Sequence, residues 1–302
     1  MLSDYLRLVR FPLLFTALAD PIAGYCLAMP GAKIRLEGLL PVLLASAALY
    51  AMGMVFNDCA DLVRDRTLHT ERPLAAGRVG FAPAFGFGIV LGLIALVAAQ
   101  AVSLKVGAVA LGLALGVLLY NGVTKRNAAL GALTMGALRT GNVLLGFLAA
   151  LPDRGPAPGI AVAYLGVVFL YVTFLTLLSS LEEPPARPGR FAAIVALMAL
   201  AVVSANLVLP APFAEGGWLA LVLTLLLAAA LIARGLGAIR EFDPGHVSTM
   251  VKIGVLGIIP LDAAAVAGTG SIAISIVVLL LVIPPVAIVS GFVRVPGLDR
   301  AS

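Results

Sequence analysis

The sequence predicts an all-α integral membrane protein. Three observations carry the prediction: more apolar residues than a water-facing surface can accommodate, ten apolar runs each about long enough to cross a bilayer, and basic residues gathered on one side of the resulting map. Of 302 residues, 62% are hydrophobic and only 12% charged, and the mean hydropathy is +1.11. Soluble domains carry roughly 25% charged residues, so the solvent of this chain is largely lipid.

The runs follow one another closely, at about 12–30, 38–57, 80–101, 105–121, 128–151, 160–181, 191–211, 217–234, 251–268 and 272–292. A bilayer core of ~30 Å needs ~20 apolar residues per helix, and each run is near that length. Continuous Leu, Ala, Val and Gly stretches lack the period-two alternation of a membrane barrel, so the spans are helices. The first run leads at once into the second with no Ala-x-Ala style site, and no cleavable signal peptide is expected.

Alternating the connecting segments between two sides separates the basic residues. Fifteen of the twenty fall with the N-terminus: Arg7, Arg10, Arg64, Arg66, Arg72, Arg78, Lys125, Arg126, Arg187, Arg190, Arg234, Arg240, Lys252, Arg294 and Arg300. Lys33, Arg35, Lys105 and Arg154 fall on the other side, and Arg139 lies inside the fifth run. The positive-inside rule then puts both termini and the segments 58–79, 122–127, 182–190, 235–250 and 293–302 in the cytoplasm. The same distribution excludes nucleic-acid binding as the meaning of the +5 net charge, because the basic residues set topology instead of forming one polar face. Cys26 and Cys59 have neither metal-ligand spacing nor a disulfide framework, and His69 and His246 have no Cys or His neighbours in sequence, so imidazole or thiolate metal binding is not expected.

Chemistry concentrates where the second run ends, in FNDCADLVRDRTLHTERPLAAGR at 56–78. Seven charged residues fall within 58–72 of a chain that otherwise uses charge sparingly. If the helix continues past the membrane surface, Asn57, Asp61 and Asp65 lie at i, i+4 and i+8, and four residues advance only ~40° beyond a full turn. Three oxygen ligands on one face, close to Arg72 and Arg78, suit a hard cation such as Mg²⁺ that keeps several waters and bridges to phosphate oxygens. The alternative is a solvated charged loop with ordinary ion pairs. Asp58, rotated ~100° from Asn57, is expected to matter less unless it supports the ligands from behind.

This segment resembles NDxxDxxxD, the first motif of the UbiA superfamily of intramembrane prenyltransferases, and Glu71-Arg72-Pro73 through Gly77-Arg78 resembles the family's following segment. YLRLVRFPLLFTALADPIAGY at 5–25, LLYNGVTKRNAALGALTMGALRTGNVLLG at 118–146 and FDPGHVSTMVKIGVLG at 242–257 are similar to further family segments. The resemblance implies a UbiA-like bundle of nine transmembrane helices within one polytopic domain, a core of about 1–268, and a tenth helix at about 272–292 beyond it. It also implies transfer of an isoprenyl group from a Mg²⁺-bound isoprenyl diphosphate to an acceptor that the sequence does not specify, small and polar or aromatic. Carried over by motif, Asn57, Asp61 and Asp65 are metal ligands. Arg72, Lys125, Arg126 and Arg190 contact diphosphate, with Asp61, Asp65 and Lys125 at the catalytic centre, and Arg10, Tyr120 and Arg139 line the substrate pocket. Tyr50, Phe56, Tyr120 and Tyr171 are candidates for guarding a carbocation, or for simple helix packing.

The second motif departs from the family. Anchored on Gly189-Arg190, its two aspartate positions are filled by Leu181 and Pro185, leaving Glu182 and Glu183 as the acids. Segment 183–190 echoes 71–78, with Glu, Pro, Gly and Arg at four of eight positions. The resemblance implies that Glu182 or Glu183 replaces the second pair of aspartates, with Glu183, which follows the family's register, as the metal ligand. A second motif altered in this way is similar to that of the EboC-type branch. It leaves two further readings open: a terpene cyclase that quenches the cation internally, and a non-catalytic carrier or scaffold for lipid diphosphates. Three ionisable residues, Asp20, Arg139 and Asp262, fall inside apolar runs and are expected to face the bundle interior with partners. Arg139 serves substrate binding or an ion pair with Asp20.

Overall fold

A computed structural model describes residues 2–31, 34–151, 159–182, 188–209, 215–240 and 244–289. The described residues are helical apart from short turns. A short α1 (Leu2–Leu8) precedes a 3₁₀ turn (Phe11–Leu13), and the spans follow: α2 (Leu14–Ala28), α3 (Leu36–Ala60), α5 (Phe81–Gln100), α6 (Leu104–Gly122), α7 (Ala128–Ala150), α8 (Gly159–Ser179), α9 (Pro188–Val208) and α10 (Gly217–Arg240), with a two-turn α4 (Leu62–Leu68) after α3. The ninth span is made of α11 (Pro244–Leu256) and α12 (Ile258–Gly268). Among the described residues nine helical stretches are long and apolar enough to cross a membrane, in register with the first nine runs of the sequence. Their outward faces carry many exposed aliphatic side chains, Leu207 being 89% exposed, as lipid-facing surface requires. The protein is a multi-pass integral membrane protein.

The tenth run is divided. It forms α13 (Ile272–Leu280) and α14 (Ile283–Val289), and Pro284 and Pro285 account for the new start, since proline is tolerated in the first turn of a helix but not in its interior. α13 packs along α12, where Ser275 Oγ donates to the Ala263 carbonyl at 2.7 Å, and α14 reaches the turn at Phe11–Leu13. The chain thus crosses back to the side of the N-terminus in two pieces.

Small residues set the closest helix contact. α2 and α7 cross with so little space that a Cβ on Gly24 would lie 1.9 Å from the Val143 carbonyl oxygen, and one on Gly146 would lie 1.8 Å from that of Pro21. Lipid supplies no hydrophobic drive between helices, so such backbone approach is how spans gain van der Waals contact. It also sets Arg139 of α7 against Asp20 and Thr16 of α2. The ninth span breaks at Gly257, ahead of Pro260, and there Tyr171 donates to the Gly254 carbonyl at 2.8 Å. Asp262 follows the break and is fully buried.

Candidate functional site

The polar cluster is built on the α3–α4 junction. Backbone bonds from Asp61 N to Asn57 O (2.9 Å) and from Asp65 N to Asp61 O (2.8 Å) carry the i to i−4 pattern through the junction, although Asp61 itself leaves helical geometry at φ −94°, ψ 4°. The side chains divide between two cations: Asn57 and Asp61 meet Lys125, whereas Asp65 shares Arg72 with Asp58.

Each carboxylate meets a cation. Lys125, from the 3₁₀ turn Thr124–Arg126 that joins α6 to α7, places Nζ 2.7 Å from Asp61 Oδ1 and 3.2 Å from Asn57 Oδ1. Arg72 Nη1 lies 2.7 Å from Asp65 Oδ2 and 3.6 Å from Asp58 Oδ1. Arg10 Nη2 lies 3.4 Å from the same Asp58 oxygen. Arg78 turns instead to Asp4 at 2.9 Å and to the Glu71 carbonyl. Arg10 is the one non-glycine residue with positive φ (47°) among those described, a left-handed conformation that costs energy and recurs at functional sites. Tyr50 of α3 donates to its carbonyl at 3.4 Å.

Asp58 has a larger part than its rotation off the ligand face suggests. It is 3% exposed and lies between Arg10 and Arg72, joining the start of the chain to the motif. Its partners lie 48 residues upstream and 14 downstream, a pairing that helical spacing cannot reveal.

Arg126 and Arg190 are exposed, Arg190 in the first turn of α9. Glu183 and Arg187 lie outside the described residues. Burial pushes the Glu182 carboxyl above the usual carboxylate range, while Lys252 and His69 draw it back down.

Below the cluster lies a cavity of about 110 Å³ between α2, α3, α6 and α7. Gly53 and Met54 are in its wall, one helical turn from Asn57, and Asn121 enters it from the end of α6. Ser46, Tyr50, Arg139 and Asn142 are its other polar lining residues, amid Leu, Val and Met side chains. Of the expected pocket residues, Arg139 is in the wall, whereas Arg10 and Tyr120 stand outside it. Phe56 packs edge-on against Phe85 at 5.3 Å and Tyr171 is used in the α11–α12 break, which leaves Tyr50 as the aromatic group of the cavity.

Arg139 is held by Asp20, its Nε 2.7 Å from Asp20 Oδ2, and Nη2 donates to the Thr16 carbonyl. Asn142 Nδ2 donates to Asp20 Oδ2 at 2.7 Å and to the Ala17 carbonyl at 2.9 Å. Behind them Asp262 accepts from Tyr164 at 2.8 Å, and the Asp20 and Asp262 carboxyls are near enough to act on each other electrostatically. All three ionisable residues of the apolar runs thus belong to one network. Asp20 and Asp262 were legible as buried charges needing partners, whereas Tyr164, Asn142, Asn121 and Ser46 carried no signal beyond being polar in an apolar run.

The donors around the metal motif are all oxygens, which suits a hard cation. Among the described residues no three acidic, Cys or His side chains converge on one point. The Lys125 ammonium instead lies on the oxygens of Asn57 and Asp61, so these two side chains are already arranged around positive charge.

A model of the UbiA prenyltransferase family matches residues 14–253. The chain belongs to that family. No curated protein matches it. Among solved structures, a UbiA homologue from Aeropyrum pernix K1 aligns with TM-score 0.67 at 19% identity, covering 83% of this chain and 96% of that one. A digeranylgeranylglyceryl phosphate synthase aligns with TM-score 0.61 at 21% identity over 89% and 98% of the two chains. A UbiA homologue from Archaeoglobus fulgidus, solved with GPP and Mg²⁺, aligns with TM-score 0.57 at 15% identity over 87% and 99%. At such identities the likeness establishes the UbiA fold. The NDxxDxxxD segment lies inside the matched residues, as does the cavity.

Proposed function

We propose that this UbiA family member is an intramembrane prenyltransferase that takes an isoprenyl diphosphate at the polar cluster and transfers its prenyl group to an acceptor in the cavity below. The observation that carries the reading is the Lys125 ammonium between Asn57 and Asp61, a cation on oxygens one turn above an apolar chamber. The A. fulgidus homologue solved with GPP and Mg²⁺ supports it. Asn57, Asp61 and Asp65 would hold Mg²⁺, with Glu183 from the second segment, and the ion would neutralise charge developing on the diphosphate.

Release of Lys125 and Arg72 from the carboxylates would give two cations to the diphosphate oxygens, with Arg126 and Arg190 at the rim. The allylic C–O bond breaks, its electron pair leaving with diphosphate. A lone pair or π pair of the acceptor forms the new bond to carbon, and the acceptor loses a proton. Tyr50 presents the aromatic face nearest the chamber, and the surrounding Leu, Val and Met side chains exclude water that would quench the cation.

The test is a ladder of isoprenyl diphosphates offered to protein in lipid nanodiscs, with diphosphate release read with and without Mg²⁺ and candidate acceptors. Mg²⁺-dependent release stimulated by an acceptor is expected. Prenyl products formed with no acceptor would indicate a cyclase, and binding without release a carrier. The orientation has its own check. With fifteen basic residues on the side of the cluster against four opposite, a cysteine at position 70 in a chain lacking Cys26 and Cys59 should be labelled from the cytoplasm only; labelling from outside would reverse the topology.

A further inference from the structure

We infer that Lys125 competes with the divalent cation for Asn57 and Asp61, so that metal ion and diphosphate enter the site together and neither is held tightly alone. The inference rests on the prenyl-transfer reading and concerns the order of binding, which that reading leaves open.

The cluster is already neutral. Three carboxylates meet three cations in it: Asp61 pairs with Lys125, Asp65 with Arg72, and Asp58 with Arg10 and Arg72. The side chains of Asp58 and Asp65 are each 4% exposed and that of Lys125 is 16% exposed, and a surplus charge is costly where water is largely excluded. A divalent cation entering alone would leave its own charge unbalanced, and a diphosphate entering alone would bring several negative charges. Their complex brings charge of both signs, so most of it cancels.

The ammonium also stands where the metal would bind. Lys125 Nζ lies 2.7 Å from Asp61 Oδ1 and 3.2 Å from Asn57 Oδ1, the two oxygens nearest the start of the motif, and a metal cannot take both while a second cation stays on them. The backbone beneath Lys125 is fixed. Asn127 N donates to the Thr124 carbonyl at 3.0 Å, and Asn127 Oδ1 accepts from the Ala129 and Leu130 amides to cap α7. Gly131 of α7 packs so close that a Cβ on it would lie 3.2 Å from Lys125 Cα. Departure from Asp61 is therefore a swing of the side chain alone, which the flexible lysine stem permits. Diphosphate oxygens beside the metal give the ammonium its new partner. Carboxylate passes from ammonium to metal as ammonium passes from carboxylate to phosphate, and every charge stays paired.

Mn²⁺ tests the exchange, since it takes the same oxygen ligands as Mg²⁺ and its free form is counted by electron paramagnetic resonance. Protein in phosphatidylcholine nanodiscs is titrated with and without geranyl thiolodiphosphate, against empty nanodiscs carrying the same analogue. Without the analogue, Lys125→Gln should bind Mn²⁺ about 10-fold or more tighter than wild type, because no hydrogen bond between charged groups has to be given up. The same variant should bind the Mn²⁺-loaded analogue more weakly, whereas a merely structural role for Lys125 would weaken both. Arg126→Gln removes an equal charge from the adjacent exposed residue and should change analogue-free binding by no more than about 2-fold. Adding Asp61→Ala to Lys125→Gln should abolish the gain.

No gain in Lys125→Gln, or an equal gain in Arg126→Gln, would overturn the inference. Wild type decides as well: Mn²⁺ held as tightly without the analogue as with it, and released in Asp61→Ala, would overturn the inference whether or not the Lys125 variant folds. Failure of the analogue to bind any of these proteins, with the Lys125→Gln gain intact, would remove the prenyl-transfer reading and leave the competition standing. Mn²⁺-dependent binding of the analogue with no gain in Lys125→Gln would remove this inference alone.

Discussion

Asp61→Ala is expected to abolish Mg²⁺-dependent turnover. Losing a group that merely supports a metal ligand costs roughly 10- to 100-fold in affinity or activity, so losing a ligand on the motif face should exceed that range. Asp61 is well placed for the largest effect, since its carboxylate shares Lys125 with Asn57 and it occupies the turn between α3 and α4. Asp58→Ala should fall inside the supporting range, because Asp58 reaches Arg10 and shares Arg72 with Asp65 instead of meeting Lys125. Steady-state diphosphate release at varied Mg²⁺ distinguishes the two: the Asp61 variant should not recover at high Mg²⁺, whereas the Asp58 variant should recover in part. Equal and small losses in both would reduce the motif to a solvated charge cluster.

The second large effect lies in the membrane, and concerns folding. Asp20→Asn leaves the Arg139 guanidinium buried without its carboxylate, and breaking a buried pair by removing one partner costs about 3–5 kcal/mol. Asp262→Asn should be far milder, within about 1.5 kcal/mol, the net worth of a typical hydrogen bond. The amide still accepts from Tyr164 and leaves the Asp20 carboxylate on the Arg139 guanidinium. Thermal unfolding in a single detergent compares the variants directly. Equal destabilisation by both changes would mean that Arg139 depends on the two acids alike.

The spans were legible because lipid imposes a length and a composition on every one of them, and nine of the ten runs correspond to full-length spans in order. The i to i+4 backbone pattern from Asn57 to Asp65 was legible for a similar reason: helical hydrogen bonding is local, and it persists through the α3–α4 junction. The tenth run looked continuous because hydropathy does not register that Pro284 and Pro285 cannot donate backbone hydrogen bonds within a helix. Asp58 looked peripheral for a different reason. Rotation alone cannot show that Arg10 and Arg72 lie where it points. The partners of Asp262 required the same knowledge of which helices touch.

The central claim is that the cluster above the cavity binds a prenyl diphosphate through a divalent cation. Equilibrium binding of geranyl thiolodiphosphate, an analogue slow to ionise, to protein in nanodiscs tests it most directly when measured with Mg²⁺ and with EDTA. Saturable binding that requires Mg²⁺ and is lost in Asp61→Ala is the predicted result, and binding of equal strength in EDTA, or none in Mg²⁺, would contradict it.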